Sequence, residues 1–306
     1  MFENREEYKY ILDRLADADH TFIELLQRLL KGGNERKIGL DGEGLVISLK
    51  NPPVAFYWDP KDPRTAASCL AADGFYERLE TSILSYFAAR SKIIFDVGAN
   101  VGYYAVVLGK CVPSQDSRLY AFEPIASTYH MLCKNLDLNN LKTAVIPVQL
   151  GLSAKDEILE INIPLKSGSS AASLRNLHPE EKSRVEKISL TSLDNFISSN
   201  FIPGLDLLKI DVEGAEKFTI QGGWDSINKF RPVIFAELLR KWSRAFDYHP
   251  DEVRRMLVEL NYVCVGVSPA LNIIDSIDEN TQETNFLFIQ NENLGFLSAL
   301  KKIVNQ

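Results

Sequence analysis

The feature that most constrains the fold is a short apolar run that ends in a glycine turn, KIIFDVGANVG at residues 92–102. A run of β-branched and aromatic residues of this length is typical of a strand buried on both faces of a parallel sheet. After the turn Gly98-Ala99-Asn100, the apolar residues adopt helical spacing from Val101 to Leu108. A strand, a glycine turn and a helix form the first half of a mononucleotide-binding unit.

The composition of this turn favours one class of ligand. We expect Gly98 and Gly102 to let a ligand approach the backbone closely. Asn100 stands where the dinucleotide fingerprint GxGxxG has its middle glycine, and Asp96 precedes the turn. A carboxylate at this point repels a diphosphate and suits a cation. The turn therefore favours S-adenosylmethionine (SAM), which carries a sulfonium and an ammonium but no phosphate, over NAD or ATP.

Composition and charge are those of an ordinary globular protein. The 306 residues are 45% hydrophobic and 25% charged, enough for one large α/β domain with additions or for two small domains. The net charge of −7 argues against nucleic acid or an anionic membrane as the main partner. The four cysteines are scattered, as expected of thiols in a reducing compartment. The N-terminus is too charged for a signal peptide and no apolar run is long enough to span a bilayer, so we expect a cytoplasmic protein.

Residues 1–74 are expected to form an accessory region and residues 75–306 the main domain. Residues 3–31 are helical in pattern, with apolar side chains at three- and four-residue steps. This stripe either packs on the chain's own core or, in a second interpretation, forms the contact of a homodimer. Two strand-like runs, Leu45–Leu49 and Val54–Trp58, follow it.

Along the main domain, strand-like runs alternate with helical ones. Five such strands precede two that can pair antiparallel, at Ile93–Val97, Leu119–Phe122, Val145–Leu150, Leu205–Ile210, Pro232–Ala236, Tyr262–Val267 and Phe286–Ile289. Between the third and fourth, Ile158–Ile163 and Val185–Leu190 alternate in polarity and flank a polar tip at Ser167–Ser170, which indicates an inserted β-hairpin. The pattern predicts a doubly wound α/β fold with a seven-stranded, mostly parallel, Rossmann-like sheet and a closing antiparallel hairpin.

Acidic residues stand at or just after the ends of four predicted parallel strands, at Asp96, Glu123, Asp211 with Glu213, and Glu237. The carboxyl ends of parallel strands share one edge of the sheet, and ligands bind in the crevice there. One such acid is commonly a helix cap, but caps explain four of them poorly. Glu123, at the end of the second strand, is placed to accept hydrogen bonds from a ribose, each contributing about 1.5–3 kcal/mol.

Four segments together resemble the FkbM-type SAM-dependent methyltransferases: FDVGANVGYY (95–104), FEP (122–124), GSSAASL (168–174) and LLKIDVEGAE (207–216). The similarity runs from about Phe75 to Ile289. The glycine turn is shared by many methyltransferases, whereas KIDVEGAE placed after it is far more specific. The resemblance implies O-methylation of hydroxyls, often on sugars or secondary metabolites, with SAM as the methyl donor.

The resemblance also implies a cofactor site along the strand ends. The turn residues would hold the methionine end of SAM and Glu123 the ribose. The end of the third strand would lie near the adenine and offer it only backbone groups. The residues expected to contact the cofactor are Asp96, Gly98, Ala99, Asn100, Gly102, Tyr103, Glu123, Pro124, Leu150, Gly151 and Asp211.

A hydroxyl acceptor gains from a general base, and the candidates lie on the same edge. Asp211 and Glu213 flank a single residue in a turn, Glu237 lies one strand over, and His249 follows the fifth strand. Paired carboxylates can also hold a divalent metal, but no histidine flanks them, so we expect acid–base or positioning roles without a metal. A small molecule or carbohydrate is the expected acceptor, and neither nucleic acid nor a membrane is an expected partner.

Other functions are compatible with the same sheet. One is N-methylation of a different acceptor. An NAD-dependent oxidoreductase is a second, against which Asn100 and Asp96 count. A third is a SAM-binding scaffold without activity, against which the retained Asp211 and Glu213 argue.

Overall fold

A computed structural model describes four stretches of the chain: residues 36–59, 65–164, 173–175 and 180–304. The predicted helical pattern at 3–31, and with it the predicted homodimer contact, lies outside the described residues. The polar tip at Ser167–Ser170 also lies outside them.

The seven strands predicted for the main domain follow one another in the predicted order, and further strands and helices lie between and before them. The strands are β1 Arg36–Asp41, β2 Gly44–Leu49, β3 Val54–Tyr57, β4 Ile93–Val97, β5 Arg118–Phe122, β6 Val145–Val148, β7 Gly151–Ser153, β8 Glu157–Pro164, β9 Ser183–Ser192, β10 Leu207–Ile210, β11 Val233–Glu237, β12 Tyr262–Gly266 and β13 Asn285–Gln290. The α-helices are α1 Ala66–Asp73, α2 Arg78–Ala88, α3 Tyr103–Gly109, α4 Ala126–Leu138, α5 Leu193–Ser199, α6 Glu216–Gly222, α7 Trp224–Phe230, α8 Arg240–Ala245, α9 Pro250–Glu259 and α10 Phe296–Val304.

The central sheet has seven strands in the spatial order β12-β13-β11-β10-β4-β5-β6. Its strands β11, β10, β4, β5 and β6 run parallel, and β13 pairs antiparallel with both β11 and β12. This confirms the predicted Rossmann-like α/β sheet with its closing antiparallel pair.

Apolar side chains cover both faces of this sheet. Every residue of β4 is buried, as the continuous apolar run predicts. Ile94 packs on one face with Leu108 and Leu132, while Phe95 packs on the other with Ile220. Helices on both faces place the carboxyl ends of the parallel strands at one open edge, and nonpolar burial on both sides holds that edge in place.

The predicted third strand is shorter than expected. It ends at Val148, and Gly151–Ser153 forms a separate strand that pairs parallel with β9. The predicted hairpin is present, because β8 and β9 pair antiparallel. The inserted unit is therefore a three-stranded sheet in the order β7-β9-β8. Pairing between β7 and β9 joins distant segments, which local sequence patterns do not reveal.

The accessory region supplies a second small sheet, in which β1, β2 and β3 pair antiparallel. It shares an apolar core with the main domain, since Ile47 and Phe56 cluster with Tyr103. The side chain of Asn139 on α4 accepts a hydrogen bond from the Ala55 amide and donates one to the Ala55 carbonyl. The proposed boundary after residue 74 stays a prediction.

Within the described ranges, no helix combines the length and apolarity needed to cross a bilayer.

Candidate functional site

A cavity of about 270 Å³ opens at the carboxyl ends of the parallel strands. The loops after β4, β5, β10 and β11 line it, together with the inserted sheet and the residues just before α2. Of the predicted site residues, the lining includes Gly98, Asn100, Glu123, Pro124, Gly151, Asp211, Glu213 and Glu237. The structure thus brings the acids of three strand ends, those of β5, β10 and β11, to one edge, whereas Asp96 on β4 does not line the cavity.

The turn after β4 is formed around Gly98, whose backbone has a φ of +77°. The amides of Gly98 and Ala99 both donate to the Phe122 carbonyl, at 3.1 and 2.9 Å. A Cβ at Gly98 would lie 1.8 Å from the carbonyl oxygen of Asp211. The glycine is therefore required by the close approach of the chain's own β10 loop. Its predicted contact with a cofactor stays a prediction, since Gly98 also lines the cavity.

Gly102 is likewise required by packing within the protein. It precedes α3 with a φ of +92°, and a Cβ there would lie 2.5 Å from Cδ1 of Leu132 on α4. The hydroxyl of the neighbouring Tyr103 donates to the Tyr76 carbonyl at 3.1 Å. Ala99, Gly102 and Tyr103 lie outside the cavity lining, and their predicted contact with a cofactor stays a prediction.

Asp96 is placed differently from the prediction. It lies inside β4, one residue before the strand ends, and is fully buried. Its Oδ1 lies 3.1 Å from Nζ of Lys209, whose ammonium lies 5.0 Å from the centre of the Tyr104 ring on α3. The carboxylate thus faces a lysine between sheet and helix and does not line the cavity. The predicted direct contact of Asp96 with a cofactor is therefore not supported by the structure.

Glu123 joins the turn after β4 to the turn after β5. Its Oε2 accepts a hydrogen bond from the Asn100 amide at 3.0 Å, and its Oε1 accepts one from the Ile125 amide at 2.9 Å. Burial raises the pKa of Glu123 to about 7, although both amides favour the charged form. Each oxygen keeps a further lone pair, so the carboxylate can also accept hydrogen bonds from a ligand in the cavity.

The loop after β10 presents Asp211 and Glu213 to the cavity. Gly214 lets this loop turn, because its φ is +101° and a Cβ there would lie 2.7 Å from the Phe246 ring. The buried Glu216 holds the loop from behind: its Oε1 accepts from the Gly214 amide at 2.9 Å and its Oε2 from the Tyr248 hydroxyl at 2.9 Å. Glu216 is the last residue of the segment LLKIDVEGAE, and the sequence pattern alone does not reveal this supporting role.

Two of the cavity carboxyls have pKa values raised above neutral pH. Burial, with the nearby charges of Asp211 and Glu216, raises the pKa of Glu213 to about 8. Burial, with the charges of Asp211 and Glu213, raises the pKa of Glu237 to about 9. These side chains are hydrogen-bond donors at pH 7, and a cation bound beside them would favour their ionised forms.

The inserted sheet supplies an apolar wall to the cavity. Ile161, Ile188 and Leu190 line it from β8 and β9. From the same wall, the hydroxyl of the buried Ser173 donates to the carbonyl of Glu213 at 3.1 Å. The insert therefore contacts the β10 loop directly and contributes to the shape of the cavity.

The end of the third strand contributes less than expected. Gly151 lines the cavity, whereas Leu150 does not. A Cβ at Gly151 would lie 2.5 Å from Cδ2 of Leu190 in β9, so this glycine allows the insert to pack against the sheet edge.

His249 lies outside the cavity lining and caps a helix. Its Nδ1 accepts a hydrogen bond from the Asp251 amide at 3.2 Å, and its own amide donates to Oε1 of Glu252 at 2.9 Å. This capping box explains the residue type locally, since such reciprocal bonds satisfy free amides of the first helical turn. The structure thus shows His249 as a helix cap, and its role as a base stays a prediction.

Tyr76 and Glu77 are among the cavity residues that sequence reasoning missed. Glu77 precedes α2 with a φ of +41° and makes no capping bond to that helix. Its Oε2 instead accepts a hydrogen bond from the Tyr104 hydroxyl at 2.5 Å. Because Glu77 is not at a strand end, the pattern that identified the other acids could not reveal it.

Five carboxyl side chains line the cavity, and none of its described lining residues is basic: the acids are Glu77, Glu123, Asp211, Glu213 and Glu237. Among the residues that the structure describes, no three His, Cys, Asp or Glu side chains are grouped as a metal site requires. The cavity therefore suits a ligand with positive charge and several hydroxyl groups.

Comparison with known proteins identifies the family. Residues 96–264 match the model of the methyltransferase FkbM domain, and these residues make up more than half of the chain. The chain therefore belongs to the FkbM methyltransferase family.

Individual relatives are distant. Hexuronic acid methyltransferase AglP of Haloferax volcanii is 26% identical over 147 residues, which cover 48% of this chain and 56% of that protein. Methyltransferase sdnD of Sordaria araneosa is 28% identical over 160 residues, covering 42% of this chain and 59% of that protein. The chain thus spans little more than half the length of these relatives. The crystal structure of methyltransferase FkbM from Methylobacillus flagellatus KT matches 65% of this chain and 43% of that one, with a TM-score of 0.39 at 16% identity.

Proposed function

We propose that the protein is a SAM-dependent methyltransferase that transfers a methyl group to a hydroxyl of a small molecule or sugar. The observation that supports this most is the acid-lined cavity at the strand ends of a chain in the FkbM family. A cavity with five carboxyls and no basic residue among its described lining attracts a cationic methyl donor and repels a diphosphate.

The donor set fits SAM. Glu123 has lone pairs left for the ribose hydroxyls, since each of its oxygens accepts one backbone amide. Gly98 and Asn100 expose backbone groups to the cavity beside it. Glu77, which also lines the cavity, would hold positive charge of the amino-acid part.

When bound, SAM supplies a methyl group on a positively charged sulfur, which is an activated leaving group. The chain's own residues then have two tasks. They hold the acceptor oxygen in line, for which positioning can supply about 7–11 kcal/mol of the barrier. They also take the proton of the hydroxyl, which is worth roughly 10²–10⁴-fold in rate. Asp211, Glu213 and Glu237 are the carboxyls that face the cavity for this second task.

A hydroxyl acceptor suits this cavity better than an amine that must first lose a proton. The protonated Glu213 and Glu237 can donate hydrogen bonds to hydroxyl oxygens, and the ionised carboxylates can accept from them. One relative is named as a hexuronic acid methyltransferase, which supports a carbohydrate as the first acceptor class to test. N-methylation and binding without catalysis are the competing functions.

The test is binding followed by turnover. Calorimetry with SAM, S-adenosylhomocysteine and NAD should show binding of the first two and none of NAD. Methyl transfer from radiolabelled SAM should then be measured on hexuronic acids, neutral sugars and matched amino sugars. Binding of NAD alone would contradict the proposal. If SAM binds and methyl groups are transferred to amines alone, the protein is an N-methyltransferase and the proposed hydroxyl acceptor is wrong. If SAM binds but no acceptor class is methylated, the protein is a SAM-binding scaffold without activity.

A further inference from the structure

A buried lysine lies behind the cavity and connects two acids of the strand ends. Lys209 is only 2% exposed. Its Nζ lies 3.1 Å from Oδ1 of Asp96 and 3.5 Å from Oδ2 of Asp211, and it donates to the Gly98 carbonyl at 3.4 Å. A single ammonium thus contacts the carboxyl ends of β4 and β10, which are neighbouring strands at the centre of the sheet.

The sheet register explains how these charges meet. Lys209 on β10 is the direct partner of Asp96 on β4. Asp211 follows the last residue of β10 directly, and the loop there brings its Oδ2 within 3.5 Å of Nζ of Lys209. Burial alone would lower the pKa of the Lys209 ammonium, but the carboxylates of Asp96 and Asp211 outweigh it and raise that pKa well above its usual value.

Stability does not account for this arrangement. Removing charges from water carries a large desolvation cost. A protein in which well-packed apolar residues replace a buried ion pair is therefore often as stable as the original or more stable. Asp96 is completely buried, but the side chain of Asp211 is 38% exposed and lines the cavity. Of the two carboxylates paired with Lys209, Asp96 thus lies in the interior of the sheet and Asp211 lines the cavity.

We propose that Lys209 is a positioning residue, which holds the Asp211 carboxylate toward the acceptor in the methyl-transfer reaction. This inference rests on the proposed function. With one oxygen engaged by the ammonium, Asp211 is restricted in orientation and keeps its second oxygen for a ligand. Asp211 is thereby the acid that receives the acceptor's proton, with Lys209 stabilising its position and not touching the reacting atoms.

The alternative is a purely structural role, in which Lys209 only neutralises the buried carboxylate of Asp96. The two roles separate in the double variant Lys209→Met/Asp96→Asn. It removes both buried charges together, and each new side chain is close in shape to the original. Lys209→Met alone leaves Asp96 buried without its partner and is expected to fold poorly.

The measurements are thermal unfolding, S-adenosylhomocysteine binding, and steady-state kinetics with SAM and the best acceptor. We expect the double variant to fold and to bind S-adenosylhomocysteine within about 3-fold of wild type, while kcat falls about 10- to 100-fold and the KM for SAM changes less. Asp211→Asn should lower kcat to a similar extent, and adding it to the double variant should cause little further loss. A purely structural lysine would leave kcat of the folded double variant unchanged.

The outcomes separate the inference from the proposed function. If wild type neither binds S-adenosylhomocysteine nor transfers methyl groups, the proposed function fails. If wild type is active and the folded double variant keeps the wild-type kcat, or if kcat losses simply add, only the role of Lys209 is overturned. Should the double variant not fold, Lys209→Arg answers the question, because it keeps the positive charge but moves it. A lower kcat at unchanged S-adenosylhomocysteine affinity is expected there, and an unchanged kcat would overturn the inference.

Discussion

The carbonyl oxygen of Asp211 lies against Gly98 so closely that a Cβ on Gly98 would be only 1.8 Å away. This contact ties the turn after β4 to the loop after β10. Because both segments line the cavity, the shape of the site depends on residue 98 having no side chain.

Gly98→Ala is therefore expected to separate the two loops. The added methyl meets backbone, which cannot swing aside as a flexible side chain can, and the φ of +77° adds strain. We expect the free energy of unfolding to fall by at least about 2 kcal/mol and S-adenosylhomocysteine binding to be lost. Denaturant unfolding and calorimetry measure both. Gly204→Ala is the matched control, because nothing lies within 4 Å of a Cβ there. Equal unfolding midpoints for the two variants would disprove the argument.

Glu123→Gln tests the acid at the end of β5. The glutamine side chain keeps one oxygen, which can accept from the backbone amide of either Asn100 or Ile125. It loses the negative charge and the second acceptor oxygen. We expect affinity for S-adenosylhomocysteine to fall about 10-fold. Affinity for 5′-methylthioadenosine should fall equally, because it has the same ribose and lacks the amino-acid part. The exposed Glu160 on β8 gives the control Glu160→Gln. A loss confined to S-adenosylhomocysteine would move Glu123 away from the ribose.

The sheet was predictable because its determinants are local. The run Ile93–Val97 is buried on both faces, as its apolar composition indicates. The shared edge of the acids also follows from a general rule of parallel sheets, and it placed Glu123, Asp211, Glu213 and Glu237 together correctly.

The rest depends on contacts between distant segments. Asp96 fits the strand-end pattern as well as Asp211 does, but it lies one residue inside its strand and meets Lys209 from the neighbouring one. Glu77 enters the cavity from the residues before a helix, where the strand-end rule does not apply. The turn glycines looked like sites of ligand approach, although Gly98 is required by packing against Asp211.

The pKa values of the cavity acids predict how catalysis depends on pH. Glu213 and Glu237, with pKa values raised to about 8 and about 9, lose their protons as pH rises through that range. Ionisation strengthens attraction for a cationic donor and provides more proton acceptors. We expect kcat/KM to rise between about pH 7 and 9 and then to level off.

Glu213→Gln should move the upper inflection of this profile to lower pH, because the charge of Glu213 contributes to the raised pKa of Glu237. The measurement is initial rates of methyl transfer in buffers of constant ionic strength, so that screening of the acids does not vary. A profile that is flat from pH 6 to 9.5 in wild type would show that neither acid influences the reaction.

The same raised pKa makes stability depend on pH through Glu237. The folded protein holds a proton on Glu237 up to about pH 9, whereas the unfolded chain releases it near the ordinary value of 4.5. The folded state thus binds more protons between these values, so this contribution to the free energy of unfolding is complete below about pH 4.5 and is lost as pH rises through about 9.

Glu237→Gln replaces the neutral acid with a side chain that does not titrate. We expect its melting temperature to exceed that of wild type by about 2–5 °C at pH 9 and to equal it near pH 5. Glu259→Gln, on the exposed face of α9, should show no such trend. An advantage of Glu237→Gln that is constant across pH would mean that Glu237 is not protonated in the folded protein.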